Sequence, residues 1–189
     1  KSSIPTERFA GALNSELGEG IVVNNAVEVP FSFDARWDAK SREYLYLVWS
    51  GRQLPPVLWN RVLLVAQPVD IKKMIQASRH FVGNQDFRNF CAKGSSQKSF
   101  IRNIYKLEIG RIGFDLIEKL KLTGRIIYFR VVADSFLYKM VRFIVASLLE
   151  VGKGNLRAEE IKKMLKGKGS NLRFKVAASC GLYLSEVKY

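Results

Sequence analysis

One residue is chemically out of place. Phe136, Leu137, Met140, Val141, Ile144, Val145, Leu148, Leu149 and Val151 make one segment apolar over most of a helical circumference, and Arg142 interrupts it. At 3.6 residues per turn, Arg142 shares a face with Tyr138, Val145 and Leu149. An arginine cannot shed its proton, so a guanidinium among apolar neighbours is costly unless an anion meets it. A snorkelling side chain at the rim, or a pair with a structural carboxylate, would satisfy it without a catalytic role. An acid held in a functional site would do so as well.

A second group lies in FDARWDAKSREYLYLVW, where Arg36 precedes Tyr44 by eight residues. Strand tyrosines mostly serve packing. A tyrosine near Arg36, Lys40 and Arg42 in a basic chain can also stack a nucleobase while the cations meet phosphates. Other chemistries lack their residues. His80 is the single histidine, which argues against a histidine-dependent metal cluster or a serine triad. No GxxxxGK[ST] occurs, and no GxGxxG opens a helix. Asp34, Asp38, Asp86, Asp115 and Asp134 are scattered, and their spacing marks none as a nucleophile. Cys91 and Cys180 have no CxxC spacing and read as reduced thiols of a cytosolic protein.

Charge narrows the partner. Lys and Arg number 31 against 17 Asp and Glu, a net +14 over 189 residues, and such a field draws polyanions, nucleic acid first. With 48% hydrophobic residues the chain has the composition of a folded protein. It lacks an apolar run of about 18 residues, so no membrane span is expected. Lys1 to Gly20 has no apolar block with a small-residue cleavage site, so no secretory signal is expected either.

The elements that must position these residues follow from periodicity and breakers. Pro5, Phe9, Leu13 and Leu17 predict an opening helix, ended by Gly18 and Gly20. Ile21 to Val29 is β-branched and predicts a strand that stops at Pro30. A strand is expected over Glu43 to Trp49, with Tyr44, Tyr46 and Val48 on one side and Leu45, Leu47 and Trp49 on the other. Asp70 is placed to cap a helix running to about His80. Gly83 to Ser99 predicts a long loop or short helix, and strands follow near Ile101 to Ile109 and Ile126 to Ala133. The arginine-bearing helix is expected from about Ser135 to Val151, a short helix over Arg157 to Leu165, and a closing strand over Gly181 to Tyr189. Irregular alternation favours an α+β fold, a mixed or antiparallel sheet flanked by helices. Residues 1–30 are expected to be the tail of an N-terminal α/β subdomain whose beginning lies upstream, and 31–189 an α+β subdomain.

In order, FSFDARWDAKSREYLYLVW, HFVGNQDFRNF, RNIYKLEI, DSFLYKMVRFIVASLLEVGKG and AASCGLYLSEVKY resemble the C-terminal two-thirds of a TruA-family tRNA pseudouridine synthase. The resemblance runs from about residue 4 to residue 189. It implies a pseudouridine synthase-like fold and isomerisation of uridine to pseudouridine in the anticodon arm of tRNA, around positions 38 to 40. In that reaction the C1′–N1 bond breaks and the base rejoins through C5, without a metal or organic cofactor. It implies that Tyr44 lies against the flipped uracil, that Arg142 faces the catalytic carboxylate, and that Leu184 forms an apolar wall under the base. Arg36, Lys93 and Arg102 are implied in RNA binding. Lys98, Lys121, Arg125, Lys162, Lys163, Lys166, Lys168 and Arg173 extend that basic surface. The family's G-R-T-D segment, which carries the nucleophilic aspartate, has no counterpart in residues 1–189, so this chain alone is expected to be inactive. A homodimer in the cytoplasm, or in the nucleus or an organelle of a eukaryote, is implied too. The alternative is a non-catalytic RNA-binding or dimerisation module of the same family.

Overall fold

The computed structural model describes residues 3–92, 98–113, 119, 122–167 and 174–189. The chain divides into two units, residues 1–38 and 39–189. In the first, α1 spans Thr6–Glu16. Residues 21–30 run alongside α1 without strand structure. The strand expected over Ile21 to Val29 is therefore absent, because among the described residues no neighbouring strand takes its N–H and C=O groups. Side chains tie this segment down instead. Asn14 Nδ2 donates to the Val23 carbonyl at 2.8 Å, the Val23 N–H donates to Asn14 Oδ1 at 2.7 Å, and Thr6 Oγ1 donates to Glu28 at 2.7 Å.

The second unit is built on a six-stranded mixed sheet. Its strands are β1 (Ser41–Gly51), β2 (Leu63–Val65), β3 (Gly83–Asp86), β4 (Ile101–Ile112), β5 (Gly124–Ala133) and β6 (Leu182–Lys188). The order is β2-β1-β5-β4-β3, with β6 also on β1. Among the described residues, β1 and β2 run parallel and the other pairs are antiparallel. Among the described residues, helices α2 (Ile71–Ser78), α3 (Met140–Gly152) and α4 (Ala158–Leu165) accompany the sheet. Alternation along β1 sorts its side chains as expected: Tyr46 and Val48 join the main core with Ile144, Val145 and Leu148 of α3, while Trp49 joins Val62 and Ile126 in a smaller cluster. The Trp49 indole lies so close over Gly124 that a Cβ there would collide with it, which explains glycine at that point of β5.

Two local expectations change. Helix α3 begins at Met140, one turn later than Ser135. Lys139 has φ 62°, a left-handed conformation that cannot belong to the helix, and the Asp134 carboxylate takes the N–H groups of Ser135 at 2.5 Å and Asn103 at 3.2 Å. The polar run Gly83 to Asp86 forms strand β3 against β4 rather than a loop. Asp70 does cap α2, its Oδ1 accepting from the Lys73 N–H at 3.1 Å.

On the sheet's other face, Glu43 of β1 meets Arg130 of β5 at 2.7 Å. The hydrogen bond from Arg130 holds the Glu43 carboxyl below its ordinary range, against the opposing effect of burial. A lowered folded-state pKa stabilises above the unfolded value and is lost as pH falls through the folded one. Glu43→Gln is therefore expected to lower the urea midpoint at neutral pH. The difference from the parent should shrink toward zero only as pH falls below the lowered folded-state pKa, where the carboxyl is protonated in the folded and unfolded states alike. Urea titrations at several pH values check this.

Candidate active site

Tyr44 and Arg142 line the same recess. It has a volume of about 60 Å³, and Phe136, Lys139 and Leu182 complete most of its wall. Tyr44 enters from β1 beside an irregularity: Tyr44 pairs with Leu184 while Glu43 pairs with Glu186, leaving Ser185 as an extra residue on β6. Bulges of this kind re-aim a side chain. The Ser185 hydroxyl folds back onto Glu43, donating to its carbonyl at 3.2 Å, which holds the bulge. The Tyr44 ring meets Phe136 edge-on, with centroids 5.0 Å apart and planes at 90°.

Arg142 enters from the first turn of α3 and is half-buried. Its Nε donates to the Ala177 carbonyl at 2.6 Å, and the Ala177 N–H returns a 3.4 Å bond to the Arg142 carbonyl. Tyr46, fully buried two residues after Tyr44, donates its hydroxyl to the neighbouring Ala178 carbonyl at 2.6 Å. Burial pushes the Tyr46 phenol well above its ordinary pKa, so it stays a neutral donor. The peptides of Ala177 and Ala178 thus fix both β1 and the guanidinium. One edge of the guanidinium is spent on a backbone oxygen, and the Nη groups remain for an anion in the recess. Among the described residues no Asp or Glu lines that recess.

The remaining predicted site residues separate. Leu184 lies across from Tyr44 on β6, 54% exposed, on the same face of the sheet but outside the recess wall. Arg102 lies on β4, two strands from β1, where its Nη1 donates to the carbonyls of Ile101 at 2.6 Å and Ser99 at 3.1 Å. Arg36 belongs to the other unit, its guanidinium 5.1 Å from the centroid of the Trp37 ring. Lys93 falls outside the described residues, as do Lys121, Lys168 and Arg173. Tyr138, expected on the Arg142 face of the helix, precedes α3 and is 62% exposed, with Lys139 Nζ 5.0 Å from its ring centroid. The sequence reading missed Phe136 and Lys139 as recess residues and Tyr46, Ala177 and Ala178 as its supports. Backbone carbonyls carry no side-chain signature, so the last two leave no trace in residue type.

Fold and recess define a basic α+β protein in which an aromatic wall and a guanidinium meet, suited to a planar base beside an anion. A profile of the tRNA pseudouridine synthase family matches residues 77–189. The tRNA pseudouridine synthase A of Anoxybacillus flavithermus is 39% identical over 189 residues, covering 99% of this chain and 71% of the relative. That of Acetivibrio thermocellus is 36% identical over 188 residues, covering 100% and 72%, and that of Staphylococcus aureus is 35% identical, covering 98% and 66%. The chain belongs to the tRNA pseudouridine synthase family. Among the described residues, no helix is long and apolar enough to cross a membrane.

Proposed function

We propose that residues 1–189 form the base-binding and guanidinium-bearing part of a tRNA-uridine isomerase acting on the anticodon arm. The observation that carries this reading is that Tyr44 and Arg142, from separate elements, line one recess that contains no carboxylate among the described residues. A uridine flipped from its stack would lie against Tyr44, with Leu184 below it. Extrusion costs a few kcal/mol, which stacking and the positive field offset. The free edge of Arg142 would hold the nucleophilic aspartate ionised and oriented. That aspartate is assigned to the family's G-R-T-D segment, which has no counterpart in these 189 residues. The C1′–N1 bond breaks, the base turns, C5 bonds to C1′ and gives up its proton, and N1 takes one up, so the product is an isomer of uridine. Arg36, Arg102 and Lys93 are assigned to RNA contact, and a cytoplasmic homodimer is inferred from the family resemblance.

The test uses a tRNA transcript and carbodiimide labelling of pseudouridine. Residues 1–189 alone are expected to bind the transcript without forming pseudouridine. The same residues joined to the part of the Anoxybacillus flavithermus relative that they do not match should form it. Turnover by residues 1–189 alone would move the nucleophile to another aspartate. Binding without turnover in both forms would favour a non-catalytic RNA-binding module.

A further inference from the structure

A second cleft opens at the other end of the same sheet face. Its volume is about 340 Å³, and Ser50, Arg111, Thr123 and Arg125 supply its polar lining, with Val69 and Ile71 from the entry to α2 forming a wall. The register explains the grouping. Arg125 pairs with Ser50 across β5 and β1, and Arg111 pairs with Ile127 across β4 and β5. Val48 and Ile127 belong to the core beneath the helices, so the two-residue period puts Ser50, Arg111 and Arg125 on that face as well. Arg111 and Arg125 are diagonal neighbours, roughly 7–8 Å apart at the backbone.

Two guanidiniums lining one cleft repel each other unless an anion lies between them. No Asp or Glu lines the cleft among the described residues, and neither arginine forms an ion pair there. The nearest acid in the wall segment, Asp70, is turned to the α2 amides as its cap. Two forked donors and two hydroxyls on a concave surface match the oxygens of a phosphate. Both arginines are exposed, so the cleft can receive a phosphate that is part of a polymer. From Tyr44 to Ser50 the strand advances six residues, about 20 Å at 3.3 Å each. The cleft and the recess therefore lie along one track.

We propose that Arg111 and Arg125 hold a backbone phosphate of the tRNA about 20 Å along β1 from the Tyr44–Arg142 recess. This second grip would fix the register in which a uridine reaches the recess, and the inference rests on the tRNA reading above. Phosphate contacts set position without reading sequence.

The experiment measures binding of labelled tRNA to the full chain across a salt series. Arg111→Gln with Arg125→Gln is expected to make the slope of log affinity against log salt shallower by about 1.5–2, and to weaken binding at least 10-fold near physiological salt. Arg111→Lys with Arg125→Lys should recover most of the slope. Lys106→Gln with Lys188→Gln removes the same charge from lysines already paired with Glu108 and Glu186, and serves as reference. An unchanged slope, or a drop no larger than that of the reference pair, overturns the proposal while leaving the tRNA reading intact. Free phosphate is the other source of this chemistry. If inorganic phosphate shifts the amide resonances of Arg111, Thr123 and Arg125 while the double glutamine variant keeps the parent tRNA slope, the cleft takes free phosphate and the RNA assignment falls. Failure of the unaltered chain to bind tRNA at any salt removes both readings together.

Discussion

Arg142→Leu is expected to lower the single-turnover rate of pseudouridine formation by about 10³-fold in the form joined to the aspartate-bearing segment, within the range for removing one preorganised charge partner. The fold should survive. Arg142 is half-buried and leucine suits its apolar neighbours, while the loss of the 2.6 Å bond to the Ala177 carbonyl costs roughly 1 kcal/mol. Arg142→Lys is the sharper variant. A guanidinium offers Nε to Ala177 and still presents both Nη groups, whereas an ammonium has one nitrogen and no planar fork with which to face a backbone oxygen on one edge and a carboxylate on the other. Lysine is therefore expected to lose nearly as much rate as leucine despite keeping the charge. A loss below about 10-fold in the leucine variant would show that the guanidinium does not meet the reacting carboxylate.

Binding of tRNA by residues 1–189 is expected to weaken about 10³-fold between 50 and 200 mM salt, the behaviour of some six phosphate contacts. The net charge of +14 makes that number available. Lys98, Arg111, Arg125, Lys162, Lys163 and Lys166 are exposed, and none forms an ion pair among the described residues. The charges committed to carboxylates are a different set, Lys106, Arg130, Lys153, Lys188 and Arg88. Filter binding over a salt series measures the slope. A value near zero would mean that the positive surface serves solubility rather than RNA.

The core strands and helices were legible because their signals are local. The alternation in Glu43 to Trp49 and the apolar circumference around Ile144 need no partner to be recognised. Residues 21–29 have strand composition and no strand, because a ladder needs a neighbour that composition cannot report. The reverse holds for Gly83 to Asp86, a polar run made into β3 by pairing with β4. The start of α3 was misplaced because Lys139 adopts a left-handed conformation rare for a lysine. At the site, Arg142 stands out as the one basic residue in an apolar helix, whereas Tyr44 is marked mainly by family resemblance. Its aim depends on the extra residue Ser185, and a bulge is a relation between strands.

The double grip on Ala177 and Ala178 has a consequence for how this segment can vary. Their carbonyls are what Arg142 and Tyr46 use, and every amino acid brings that oxygen, so the identity of exposed Ala178 is nearly free, whereas Ala177 is buried in the core and must stay small. The number of residues between them and β6 is not free. Adding or removing one would hand each donor the wrong oxygen and turn the guanidinium away from Tyr44, so length is fixed here even where identity is free, as at the exposed positions Ala178 and Ser179.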